Sequence, residues 1–197
     1  MFLFVLSFVI AAIGEWITSS LYPSGWHVFS SQLRPMIGAV PLVVLLAWPF
    51  LIFLCFMGTE VLFFKIKRRA PLVLKSLVTA LWALSIDILV DPIQKFEKNW
   101  SWPNGGLFWD VPIINFLGWI VIVGLTTYLF GLFLQKTKRD LELNGLGYAL
   151  ITVFVIVYGF FLYSAFYWGL WQAALVSMLI LFIGALIPIV IIRPSKH

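Results

Sequence analysis

With 62% hydrophobic and 11% charged residues over 197 positions, and a mean hydropathy of +1.05, the chain lies far outside the range of a soluble globular domain and reads as an integral membrane protein. Its length suits one domain, and the single Cys55, set in an apolar run, excludes an intrachain disulfide. The net charge of +5 sits in short clusters beside apolar runs, so it marks topology and calls for no nucleic-acid partner.

Crossing a hydrocarbon core of about 30 Å takes about 20 apolar residues. Six runs qualify, predicting an all-α bundle of about six transmembrane helices, within a range of five to seven. The first, residues 2–21, loses its clean apolar character at Gly14-Glu15. Ala12-x-Gly14 offers the small residues of a signal-peptide cleavage site, but no basic residue precedes the run, so it is read as a retained helix. Tyr22-Pro23-x-Gly25, Trp26, His27 and Arg34-Pro35 follow. His27 has no second His and no nearby Cys on its side, so no zinc or iron site is expected. The second run, 37–64, carries Trp48 and Cys55. The third, 72–90, ends in Asp87-x-x-x-Asp91-Pro92, and a loop with Trp100-x-Trp102 and Val111-Pro112 leads to the fourth, 113–134, which opens on Asn115-Phe116-x-Gly118-Trp119. The fifth and sixth, 146–167 and 170–192, are separated by little more than Trp168-Gly169, which demands a tight hairpin.

The basic residues fall into flanking clusters: Lys65, Lys67, Arg68, Arg69 and Lys75, then Lys136, Lys138 and Arg139, then Arg193 and Lys196. Six spans place them on one side, opposite Arg34, Lys95 and Lys98. Both termini are therefore expected in the cytoplasm of a multi-pass plasma-membrane protein. The clusters themselves read as headgroup-facing turns without chemistry. Glu15, Tyr22, Arg34, Asp87, Asp91 and Asn115 then all gather in one layer at the non-cytoplasmic end.

A carboxylate inside a membrane helix is costly and points to a partner or a function. Asp87 and Asp91, spaced i to i+4, project from one helix face and can share a proton or hold one cation. Asp87 lies a turn deeper than Asp91. Asp91 has two readings, a site residue or a helix terminator ahead of Pro92 at the aqueous boundary. Glu15, between Gly14 and Trp16, is equally open. Trp168, Trp171, Trp16 and Trp26 suit an interfacial aromatic belt, whereas Trp100, Trp102, Trp109 and Trp119 crowd one short loop and either line a pocket or join the belt.

Taken together, Glu15, Tyr22-Pro23-x-Gly25, Pro35, Val40-Pro41, Trp48, Asp87-x-x-x-Asp91-Pro92, Trp100-x-Trp102 and Val111-Pro112-x-x-Asn115-Phe116-x-Gly118-Trp119 resemble the carotenoid biosynthesis membrane protein family over nearly the whole chain. That family includes the carotenoid 1,2-hydratases and the bisanhydrobacterioruberin hydratases. The resemblance implies a hydro-lyase that adds water to the terminal C1=C2 double bond of an acyclic carotenoid or polyprenyl end group, without a cofactor. Its partners would be the bilayer, the polyene and other enzymes of the same pathway.

Such chemistry protonates a trisubstituted alkene to a tertiary carbocation, which water captures. Asp87 is the expected acid, with Asp91 or Glu15 ionised to stabilise the cation and deprotonate the water. Asn115 would orient the water or a carboxylate, and Tyr22, Arg34, Trp100, Trp102, Phe116 and Trp119 would bind substrate. Three alternatives use the same residues. A cyclase would let an internal double bond capture the cation. A prenyltransferase would place Mg²⁺ and a diphosphate on the aspartates, with only Arg34, Lys95 and Lys98 to offset the charge. A non-enzymatic isoprenoid-binding protein would use the polar layer as a gate, although no internal repeat of the transporter kind is evident.

Overall fold

The computed structural model describes residues 1–21, 27–65, 70–137 and 145–191. Six helices among them are long and apolar enough to cross a bilayer, making the chain a multi-pass membrane protein. They are α1 (Phe2–Trp16), whose span continues to Ser20, α2 (Leu42–Lys65), α3 (Leu72–Phe96), α4 (Ile113–Thr137), α5 (Gly145–Tyr167) and α6 (Trp171–Ile191). Helices dominate because a spanning segment has no water to satisfy its backbone and must close its own hydrogen bonds. Two short antiparallel ribbons lie in the connections: β1 (Val28–Phe29) with β4 (Trp100–Ser101), and β2 (Met36–Ile37) with β3 (Val40–Pro41). Tyr22 to Trp26, the basic residues Lys67 to Arg69, Lys138 and Arg139, and Arg193 and Lys196 lie outside the described residues.

At the centre of the bundle, α3 packs against α2, α4, α5 and α6, while α1 leans on α2 and α4. Every residue of α3 from Ala83 to Ile93 is buried. Side chains such as Ile156 and Phe160 on α5 and Leu179 and Phe182 on α6 face outward instead, where lipid tails would cover them. Close helix approach is secured by small residues and polar ties. The Trp82 ring of α3 occupies space left by Gly58 of α2 and Gly184 of α6, where an added Cβ would come within 2.5 and 2.8 Å of it. Tyr158 of α5 donates to Ser177 of α6 at 2.8 Å, and Ser177 donates to the Ser85 carbonyl of α3.

Three element ends depart from the sequence expectation. The second helix begins at Leu42 and not at residue 37, because the β2–β3 hairpin takes up Met36 to Pro41, turning at Gly38 with φ +62°. The Leu42 amide donates to the Pro35 carbonyl at 2.8 Å and so starts the helix. The third helix passes through Asp91-Pro92 and ends at Phe96, which overturns the reading of Asp91 as a helix terminator. Proline at 92 removes only its own N–H from the ladder, and the buried packing on every side of this segment holds the helix across the gap. The first helix widens at its end into a π-helical turn, Ile17–Leu21, where the Thr18 and Ser19 hydroxyls bond back to the carbonyls of Gly14 and Glu15.

The α5–α6 connection is the tight hairpin its length demands. Gly169, at φ +73°, allows the Leu170 amide to reach the Ala165 carbonyl at 2.8 Å and its own amide to reach Phe166 at 3.1 Å, a Schellman closure. α3 closes in the same way, with the Asn99 amide on the Gln94 carbonyl and the Lys98 amide on that of Lys95. Here the left-handed position is filled by Lys98, at φ +60°.

Candidate functional site

The extension of α3 beyond Pro92 sets the site. Gln94, on that added turn, accepts from the Asn99 side chain at 2.6 Å. The Ser30 amide donates to the Asn99 carbonyl at 2.7 Å, and the ribbon pairs Phe29 with Trp100 and Val28 with Ser101. His27, Trp100 and Trp102 are thereby placed as a roof over the end of the bundle. His27 stacks on Trp102 with ring centres 5.0 Å apart and meets Trp100 edge-on at 5.8 Å.

Beneath that roof, residues from four helices converge. Glu15, at the end of α1, is buried; its Oε1 accepts from Trp48 Nε1 of α2 at 2.9 Å, and its Oε2 lies 3.6 Å from His27 Nδ1. Asp91 of α3 accepts on both oxygens, on Oδ1 from Trp100 Nε1 at 3.3 Å and on Oδ2 from Asn115 Nδ2 of α4 at 2.5 Å. Asp87, one turn deeper, is 0% exposed, and neither of its oxygens meets a donor among the described residues. The two aspartates sit close enough for their carboxyls to bond to each other once one carries a proton. Trp48 and Trp119 pack closely, their rings inclined at 31° with 4.0 Å between ring centres.

These groups enclose a chamber of about 70 Å³ walled by Glu15, His27, Trp48, Asp91, Trp100 and Asn115, among others. Asp87 lies behind Asp91 and does not line it. The chamber adjoins a mainly apolar groove of about 320 Å³ between α1 and α4, which reaches Ile17, Gly118 and Ile122. Glu15, His27, Trp48, Asn115 and Trp119 line both spaces. A polar pocket at the head of an apolar lateral groove suits a lipid-soluble molecule that reacts at one end.

Of the residues singled out from the sequence, Glu15, Asp87, Asp91, Asn115, Trp100, Trp102 and Trp119 come together here. Phe116 is buried against Phe108 and lines neither space, and Arg34 is exposed and apart from both. Lys95 pairs with Asp110 on the outside and Lys98 is exposed, so no described cation stands beside the aspartates to meet a diphosphate. No three His, Cys, Asp or Glu side chains among the described residues are placed to hold one metal ion. His27 and Trp48 are site residues to which the sequence reading gives no role, although Trp48 stands among the residues that carry the family resemblance. For Trp48 a signal exists, since an indole N–H deep in an apolar helix needs an acceptor.

The carotenoid biosynthesis protein family model matches residues 1–184. No curated protein and no solved structure matches the chain.

Proposed function

The chain belongs to the carotenoid biosynthesis protein family and has a role in that biosynthesis, and from this premise we propose that it adds water to the terminal C1=C2 double bond of an acyclic carotenoid or related polyprenyl end group. The observation that carries the reading is the unequal treatment of two adjacent buried carboxyls. Asp91 receives two hydrogen bonds, whereas Asp87 receives none from the described residues. A buried carboxylate without donors is expensive, so a single proton held by the pair is the arrangement this environment favours.

In the proposed reaction the end group enters along the α1–α4 groove. Asp91, which faces the chamber, delivers the proton of the pair to the less substituted alkene carbon, and the neighbouring carbon becomes a tertiary cation. Asn115 and Trp100 aim the Asp91 carboxyl. The faces of Trp48 and Trp119 stand where an apolar cation would be held. A water molecule bonds to the cationic carbon and gives up a proton to the Glu15–His27 pair, leaving a tertiary alcohol. Return of that proton to the aspartates closes the cycle, so no redox or metal chemistry enters the scheme. Asp87 acts through Asp91 and is a positioning residue, which moves the acid role expected of it one turn up the helix.

The test is expression in bacteria that accumulate lycopene, with product masses recorded for the parent chain and for Asp87→Asn and Asp91→Asn. The parent is expected to add the mass of one water per reacting end. Each variant is expected to lose at least about 100-fold of that conversion, the usual weight of a positioned acid, with its membrane level unchanged. An isomerised product of unchanged mass would replace hydration by cyclisation, and full activity in both variants would sink the acid assignment.

A further inference from the structure

The two ring nitrogens of His27 stand in unlike surroundings. Nδ1 lies 3.6 Å from Glu15 Oε2, whereas Nε2 is buried and meets no hydrogen-bond partner among the described residues. The ring itself is held in place. Trp102 stacks on it with the planes inclined at 8°, Trp100 stands nearly perpendicular to it, and Phe29 packs against it with ring centres 4.2 Å apart. These neighbours oppose the ring flip that would exchange the two nitrogens.

Glu15 is fixed as well, because its other oxygen accepts from Trp48 Nε1 at 2.9 Å. A carboxylate beside Nδ1 favours the imidazole tautomer that carries its proton there, which leaves the Nε2 lone pair bare. His27 lines both the chamber and the α1–α4 groove. The N–H groups that Trp48, Trp100 and Asn115 bring to the chamber wall already serve Glu15 and Asp91. A buried acceptor without a protein donor calls for water, and a chamber of about 70 Å³ has room for it.

We propose that His27 Nε2 is the general base of the reaction, holding the attacking water and taking its proton, and that Glu15 is a positioning residue. This rests on the hydration reading and assigns its last step to one atom. As the water oxygen bonds to the tertiary cation, the electron pair of the broken O–H bond stays on oxygen and the proton moves to Nε2. Glu15 fixes the tautomer beforehand and balances the imidazolium charge afterwards. The imidazolium then passes the proton, through chamber water, to the Asp91 carboxylate emptied in the first step, so the sum is alkene plus water to alcohol. Asp91 decides whether the cation forms, and His27 decides whether water captures it.

The full chain reconstituted with unlabelled lycopene in liposomes, incubated in D₂O and read by mass spectrometry, separates the two steps. His27→Asn keeps an amide N–H at the height of Nδ1 but has no atom in the place of Nε2. It is expected to lose at least about 100-fold of hydration while the recovered lycopene gains deuterium. Asp91 still delivers a deuteron to the alkene and, with no water captured, takes back a proton from the same carbon. His27→Gln, a second variant that guards against a folding fault in the first, is expected to show the same split. Undiminished hydration in His27→Asn would overturn the base and leave the proposed reaction standing. Loss of hydration and of deuterium uptake together in both variants would also overturn it, since His27 would then support the acid step or the fold. A parent chain that neither hydrates nor labels lycopene would remove the hydratase reading and this assignment with it.

Discussion

Glu15 shows how much of the site depends on single contacts. One of its oxygens is tied to Trp48 and the other faces His27. Glu15→Gln keeps an acceptor for the indole but removes the charge, so it is expected to lower conversion at least about tenfold with little change in melting temperature. Trp48→Phe keeps most of the ring packing but strands a buried carboxylate oxygen. It is expected to cost about 1–3 kcal/mol of stability, read as a lower melting temperature in detergent. The opposite ranking of the two variants in the two assays would remove Glu15 from the reaction. Asp87, Asp91 and Asn115 are legible in the sequence because ionisable and amide groups inside an apolar run cannot be neutral choices. The Glu15–Trp48 bond is not, since it joins residues 33 positions apart in different helices. A lone histidine likewise carries no spacing by which to find its partner. Only the β1–β4 register brings His27 over the chamber.

The last turn of α3 is the element on which the roof depends, and its closing residue is conformationally unfavourable. Lys98 occupies the left-handed region, where an L side chain costs about 1–2 kcal/mol and glycine costs nothing sterically. Lys98→Gly is expected to raise stability by about 0.5–1 kcal/mol after the extra flexibility of the unfolded glycine is counted, with conversion unchanged; a lower melting temperature would show that the lysine side chain supports the turn. Sequence reasoning finds the six helices because hydropathy and length are properties of the segment itself. It misplaces the end of α3 because Asp-Pro reads as a stop in water, while the packing that overrides that preference comes from four other helices. The late start of α2 has the same origin: Met36 to Pro41 are apolar enough to extend a helix, but they pair with one another across Gly38.

For the molecule as a whole, the position of the site at a seam between helices makes access separable from folding. Gly118 lines the α1–α4 groove, and a Cβ there would have no atom within 4 Å. Gly118→Phe should therefore fold, with the ring filling the groove. It is expected to cut conversion of a long polyene at least about tenfold while leaving the melting temperature within about one degree, since surface changes away from special features shift stability little. Undiminished conversion would place the entry route elsewhere. Which helix stands at the centre is not legible in hydropathy, because lipid and protein interior are equally apolar and both faces of a membrane helix read alike.

The burial of α3 also bears on how this protein can vary. Residues Ala83 to Ile93 meet protein on every side, whereas α6 turns one side to the lipid. In a library of single substitutions selected for pigment, tolerance along α6 should rise and fall with a period of about 3.6 residues. Along the middle of α3 it should stay flat and low, so that drift in this chain is written on its lipid-facing helices while one central helix holds still.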